Sequence, residues 1–214
     1  MRSPVVMFDF GNVLAFFDYR LIYSRFGERL GLSADEFQTL AEERGLNALL
    51  ADFESGRLTP EAFAAVVQRE VGLEMSFEEF AESWQDIFEL NAPVAGLAVD
   101  LKAAGYTLLL GSNTNAIHAA FYRREFRETL DHFEHFVLSH EVQAMKPSRE
   151  FFDACTRAVG APAGSCLFID DVEENIQGAR DAGLIGVVYR DADQLARELR
   201  EHGVELPPTR PAST

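Results

Sequence analysis

Pro4-Val5-Val6-Met7-Phe8-Asp9-Phe10-Gly11-Asn12-Val13 is an apolar run that stops abruptly on a carboxylate and a glycine. Val5 to Phe8 is too short for a buried helix and is followed by a chain-breaking glycine, so it reads as a strand covered on both faces, the kind found in parallel sheets. Asp9 then sits at the carboxyl end of that strand. In open α/β sheets ligands bind at that edge, which makes Asp9 a candidate nucleophile or metal ligand. The competing reading is structural, because Asp and Asn after a strand are also ordinary turn and cap residues.

Outward from this strand the chain changes character twice. From Asp18 to Asn91 it has helical periodicity and no convincing strand. Ser33-Ala34-Asp35-Glu36 and Ser76-Phe77-Glu78-Glu79 have the capping-box form, and Thr59-Pro60 places an N-cap before a proline at the first helical position. Helices are expected near 19–30, 34–44, 60–71 and 77–89, with Gly31, Gly45 and Gly72 as stops. From Pro93 onward helices alternate with short apolar runs, the signature of a parallel α/β layer structure. Strands are expected at Tyr106 to Leu110, Phe136 to Leu138, Cys166 to Ile169 and Ile185 to Tyr189. Helices are expected near Val94 to Ala104, from Asn115 through Phe121, and over Arg149 to Val159, Asn175 to Ala182 and Gln194 to His202.

The resulting expectation is an α/β fold with a Rossmann-like parallel sheet core, helices on both faces and an inserted all-helical cap. The core takes residues 1–17 and 93–205, the insertion 18–92, and 206–214 form a disordered tail. Because the insertion leaves directly after the Asp9 strand, it is placed over the carboxyl edge as a lid.

Composition narrows the function classes. A net charge of -16 over 214 residues argues against nucleic acid, whose binding rests on Lys and Arg contacts to phosphates. The helical block holds sixteen acids against six arginines and no lysine. Only Lys102 and Lys146 occur in the whole chain, so a lysine in a chemically suggestive place carries weight. Cys155 and Cys166 have no metal-type spacing and fit a reducing compartment. The start carries no basic segment leading into an apolar one, and no apolar stretch approaches the ~20 residues of a membrane span. A cytoplasmic protein without a membrane or nucleic-acid partner is the expectation; the oligomeric state is left open.

Three expected strands end in polar clusters: Asp9, Ser112-Asn113 and Asp170-Asp171. Lys146 joins them in a loop, since Pro147 pushes the residue before it out of helical geometry. Taken singly, Ser112-Asn113 reads as a helix cap and Asp170-Asp171 as a charged turn. Taken together they have the makings of phosphoryl transfer. Carboxylates from two strands can hold Mg²⁺, and the ion and a lysine offset phosphate charge while Asp9 attacks phosphorus. His132, His135 and His140 match no strong zinc spacing. Arg20 and Arg25 read as a solvated helix face, and Phe16, Phe17 and Trp84 as core aromatics or lid-pocket lining.

In order and type these segments resemble the four motifs of the haloacid dehalogenase superfamily, and the helical block resembles its inserted helical cap. Asp-Phe-Gly-Asn-Val, Gly-Ser-Asn-Thr, Lys-Pro-Ser and Asp-Asp-Val-Glu-Glu-Asn-Ile look most like its bacterial α-D-glucose-1-phosphate phosphatase subgroup. The resemblance implies a Mg²⁺-dependent phosphatase of a small phosphorylated metabolite. Asp9 would be the nucleophile, Ser112 and the Asn113 amide phosphoryl donors, and Lys146 the charge stabiliser. Asp9, the Gly11 carbonyl, Asp170 and Asp171 would hold the metal, and Asn175 would serve the same loop and the substrate side of the site.

One departure stands out. Family phosphatases usually carry a second aspartate two residues after the nucleophile as general acid, and this chain has Gly11 there. Either the leaving group is a comparatively good one, or water or Asp18 delivers the proton. A 2-haloacid dehalogenase is the rival enzyme reading, set against by the acidic pair Asp170-Asp171. A non-catalytic phosphoryl-ligand-binding protein is the rival outside enzymes, since Gly11 can record lost activity.

Overall fold

A computed structural model describes residues 5–206. In chain order the elements are β1 (Val5–Phe8), β2 (Ala15–Phe17), α1 (Arg20–Leu30), α2 (Ala34–Glu43), α3 (Leu46–Glu54), α4 (Pro60–Val71), α5 (Phe77–Gln85) and β3 (Phe88–Leu90). There follow α6 (Ala92–Ala103), β4 (Thr107–Ser112), α7 (Ala116–Glu125), α8 (Arg127–Leu130), β5 (His135–Leu138), α9 (Ser139–Val142) and α10 (Arg149–Val159). The last are β6 (Cys166–Asp170), α11 (Glu173–Asp181), β7 (Ile185–Val188) and α12 (Ala192–Glu201).

Five strands form one sheet in the order β5-β4-β1-β6-β7, every neighbouring pair parallel. β1 is the central strand, and its alternation feeds both faces. Val6 and Phe8 join Leu108, Leu110, Leu167 and Ile169 in one apolar cluster, whereas Val5 and Met7 join Leu109, Phe168, Phe151 and Phe152 in the other. The register fixes the functional edge. Phe8 lies level with Leu110 on β4 and Ile169 on β6, so the chain emerges at Asp9, Gly111 and Asp170 side by side.

Helices α1 to α5 surround a separate aromatic-rich cluster that includes Phe26, Phe37, Phe53, Phe63, Phe80 and Trp84. Both expected capping boxes form, Ser33 with Glu36 and Ser76 with Glu79, and Thr59 caps the Pro60 helix.

The insertion is not all helical. The helix expected over 77–89 ends at Gln85, and Phe88–Leu90 pairs antiparallel with Ala15–Phe17 as a two-stranded ribbon at the neck of the insertion. Three residues of alternation are too short to read against a helical background, and the partner strand lies far away in sequence. Helix α3 is also additional. It starts after Gly45 in a left-handed conformation with no side-chain cap, so it lacked the oxygen-bearing start signal that α2, α4 and α5 carry. The expected tail falls, after Leu206, outside the described residues. Among the described residues no helix is long and apolar enough to cross a membrane.

Candidate active site

The end of β1 delivers Asp9 into a buried ion-pair row. Lys146 Nζ lies 2.7 Å from Asp9 Oδ1 and 2.6 Å from Asp170 Oδ2, with the Lys146 side chain 1% exposed and that of Asp170 fully buried. Such charges are tolerated away from water only when paired and hydrogen-bonded, and each is. The Phe10 N–H donates to Asp9 Oδ1 at 2.7 Å. The Val172 N–H and the Asn175 side chain donate to Asp170 at 2.9–3.1 Å. Lys146 is itself held by Asn113, whose side chain accepts from the Lys146 N–H at 2.8 Å and donates to its carbonyl at 3.1 Å. Asn113 therefore spends its side chain on placing the lysine, and Asn175 spends its own on Asp170.

Asp171 completes an acidic cluster. Asp9, Asp170 and Asp171 each offer an oxygen within 4.8 Å of the others. Asn12, in a left-handed conformation at φ 55°, turns its amide to donate to Asp171 Oδ2 at 3.2 Å. Burial pushes the Asp9 carboxyl up to about 7 against the pull of Lys146, and burial also raises Asp171. Burial opposes the charge on Lys146, but Asp9 and Asp170 outweigh it and hold the ammonium above its ordinary value. Three close carboxylates with one lysine leave a surplus of negative charge, and hard oxygen donors in that number suit a small divalent cation such as Mg²⁺. Asp170 already accepts two hydrogen bonds on each oxygen, whereas Asp9 accepts on Oδ1 and Asp171 on Oδ2, so the second oxygen of each of these two carboxylates keeps lone pairs for a cation.

The row opens onto a cavity of about 260 Å³. Asp9, Ser112, Asn113, Lys146, Asp171 and Asn175 line its floor, with Gly11 beside them. Asp170 lies behind the wall. Phe17, Tyr19, Glu54, Ile87, Phe88 and His118 form the rest of its wall. The residues singled out in the sequence for the ion-pair row and the acidic cluster thus converge, whereas Asp18, Arg20, Arg25 and Trp84 lie outside the cavity wall. Asp18 is exposed and outside the cavity wall, its carboxylate accepting from the Arg20 N–H at 2.8 Å at the start of α1. Arg20 pairs with Asp35, and Arg25 donates to the Ser83 and Asp86 carbonyls, so both serve the helical layer. Trp84 belongs to the cap cluster, while Phe17 does line the cavity and Phe16 is exposed.

Gly11 has a steric explanation. A Cβ there would lie 2.9 Å from Phe17 Cε1, so the aromatic ring fills the space a longer side chain would enter. The sequence reading missed Glu54, Tyr19 and His118 in the wall and Ser139 behind it. None sits in a motif, and the contacts that bring them in span dozens of residues. Asn12 did carry a signal, since Asn is among the few residues that adopt the left-handed conformation readily.

A family model described as haloacid dehalogenase-like hydrolase matches residues 4–183. D-ribitol-5-phosphate phosphatase of Bacteroides thetaiotaomicron is 24% identical over 184 residues, spanning 83% of this chain and 87% of that protein. That relative is named for a sugar-alcohol phosphate rather than for glucose 1-phosphate. A haloacid dehalogenase family enzyme of the same organism, solved in complex with magnesium and inorganic phosphate, superposes with a TM-score of 0.74 at 26% identity, covering 88% of this chain and 94% of that one. The L-2-haloacid dehalogenase of Xanthobacter autotrophicus shares the fold at a TM-score of 0.62 and 16% identity, over 95% of this chain and 84% of that one. With four motif segments meeting at one sheet edge and the family model covering most of the sequence, the chain belongs to the haloacid dehalogenase-like hydrolases.

Proposed function

We propose that this protein is a Mg²⁺-dependent phosphomonoesterase of a small phosphorylated metabolite, acting through an aspartyl-phosphate on Asp9. The observation that carries the reading is the lysine held between two carboxylates at the floor of a cavity, 2.7 Å from Asp9 and 2.6 Å from Asp170. Asp9, the Gly11 carbonyl and Asp170, with Asp171 direct or through water, are the groups that would hold the ion. When bound, Mg²⁺ supplies charge that offsets the phosphoryl oxygens and draws Asp9 into its carboxylate form.

The remaining roles follow from placement. Lys146 neutralises charge on Asp9 and on the phosphoryl group. The Ser112 hydroxyl and the Asn113 backbone N–H donate to phosphoryl oxygens, while the Asn113 and Asn175 side chains fix Lys146 and Asp170. Residues 18–92 act as the cap that closes the cavity from water. A cavity of about 260 Å³ suits a phosphoryl group with a short carbon chain, and the ribitol-phosphate relative supports a polyol or sugar phosphate as the substrate class.

The buried acidic cluster favours phosphate over a carbon-halogen bond, since attack on carbon needs no divalent ion. The decisive assay is turnover of a panel of sugar, polyol and nucleotide phosphates and p-nitrophenyl phosphate with Mg²⁺. Activity that requires the ion and falls by three orders of magnitude or more, on the order expected for loss of a covalent nucleophile, in Asp9→Asn supports the reading. Halide release from 2-chloropropionate in EDTA, or no turnover of any phosphate, would overturn it.

A further inference from the structure

Breaking the bond from phosphorus to an alkoxide requires a proton on the leaving oxygen, and Gly11 has none to give. In-line attack from Asp9 places that oxygen on the far side of phosphorus, within the cavity that Asp9 shares with Phe17, Tyr19 and Glu54. The titratable groups of the cavity can be sorted by what already occupies them. Asp9, Lys146 and Asp171 belong to the ion-pair row and the acidic cluster. His118 is locked neutral: its Nδ1 accepts from the Asn115 side chain and its Nε2–H donates to the Trp84 carbonyl, both at 3.0 Å. Burial pushes its pKa down to about 4. Tyr19 is held well above its ordinary value by burial and by Glu54.

Glu54 remains, and the fold fixes its position with care. It is the last residue of α3, and the Ser139 hydroxyl lies 2.6 Å from its carbonyl while accepting the Thr114 N–H at 2.9 Å. One hydroxyl therefore ties the end of α3 to the loop that follows β4, the loop that begins at Asn113 directly after Ser112. Two residues on, Gly56 has φ +72° and no room for a Cβ against the His140 carbonyl, so the backbone of this corner is seated directly on α9. The side chain is half-buried, and its Oε1 lies 3.5 Å from the Tyr19 hydroxyl.

We propose that Glu54 is the general acid that replaces the missing aspartate, supplied by the cap rather than by the nucleophile loop. This deepens the phosphatase reading and rests on it. As an Asp9 oxygen bonds to phosphorus and the bond to the leaving oxygen breaks, the Glu54 carboxyl proton passes to that oxygen and the free alcohol departs. Water then attacks the aspartyl-phosphate, Glu54 takes its proton, and inorganic phosphate and the Asp9 carboxylate are released with Glu54 protonated again. Burial pushes the Glu54 carboxyl up to about 7, so a large share of molecules carries the proton at neutral pH.

The test is a leaving-group comparison on Glu54→Gln, using kcat/KM, which reports only the steps through departure of the alcohol. p-Nitrophenolate leaves without a proton and an alkoxide does not. For the best alkyl phosphate of the panel kcat/KM is expected to fall by about 10²- to 10⁴-fold, and for p-nitrophenyl phosphate by at least ~10-fold less. Glu54→Asp, which keeps the acid but shortens it, is expected to shift the same ratio in the same direction by a smaller factor, and it decides the matter if the glutamine variant does not fold. Equal losses on both substrates would mean that Glu54 only binds substrate or braces the cap, and no loss on either would leave it without a role; either result overturns the proposal. So would a wild-type enzyme that hydrolyses p-nitrophenyl phosphate and no alkyl phosphate. A wild type inactive on every phosphate would instead sink the phosphatase reading itself.

Discussion

The floor and the roof of the cavity are built to different tolerances. On the floor, Asp9, Lys146 and Asp170 are joined by contacts of 2.6 and 2.7 Å, and each is 7% exposed or less. Asp9 accepts in addition from the Phe10 N–H, and Asp170 from the Val172 N–H and the Asn175 side chain. On the roof, the Tyr19 to Glu54 contact is 3.5 Å, and Phe17 is 38% exposed. The difference matches what each half must do. Charge transferred at phosphorus has to be met by groups already in place, because dipoles that must turn cost barrier height. The leaving group varies with the substrate, and a looser apolar wall with one acid can accommodate that.

The largest way to break this contrast is to take the cation out of the floor. Lys146→Met leaves Asp9 and Asp170 facing each other without compensation. Removing one partner of a buried pair costs about 3–5 kcal/mol, far more than an exposed pair is worth. Denaturant unfolding in EDTA should show that loss, and added Mg²⁺ should recover part of it by supplying positive charge at the same carboxylates. A variant as stable as the wild type in EDTA would mean the row is not what organises the floor.

A smaller effect is expected at the joint between the halves. Gly56→Ala forces a Cβ into the His140 carbonyl at a backbone angle of +72° that other residues rarely adopt. The cost is about 2–3 kcal/mol from strain and overpacking together. If the joint positions only the roof, kcat/KM for an alkyl phosphate should fall more than for p-nitrophenyl phosphate, the same pattern expected of Glu54→Gln. Parallel losses on both substrates would show that roof and floor are one rigid unit.

The same division explains what the sequence revealed. The floor was legible because Asp9, Ser112, Asn113, Asp170 and Asp171 stand at the ends of apolar strands and Lys146 precedes a proline, and strand ends in a parallel sheet must converge. Strand β1, the motif order and the capping boxes at Ser33 and Ser76 are all local signals. The roof was not legible. Glu54 ends a helix with no start signal, the Phe88–Leu90 strand is three residues long, and the Ser139 hydroxyl reaches a carbonyl 85 positions away. Such contacts are fixed by tertiary packing, which no window of residues contains. The Gly11 departure was visible, but the Phe17 ring packed against it depends on how the chain turns back between β1 and β2.

The finest distinction between the halves is a slope in stability against pH. Burial raises Glu54 from 4.5 to about 7 and Asp9 from 3.8 to about 7, so over that window the native protein holds protons the unfolded chain has released. More protons bound in the native state means that stability falls as pH rises through the window and levels off above about 7. Mg²⁺ separates the two carboxylates, because an ion bound at Asp9 favours the ionised form and cancels that contribution while leaving Glu54 untouched. With saturating Mg²⁺ the wild type should therefore still lose stability between about pH 4.5 and 7, and Glu54→Gln should lose less, by on the order of 1–2 kcal/mol once contact with water through the cavity mouth is allowed for. Without the ion both proteins should retain the Asp9 slope. Identical slopes for the two proteins in Mg²⁺ would place Glu54 in water, and a carboxyl that water already solvates has no reason to keep its proton at neutral pH for a leaving group.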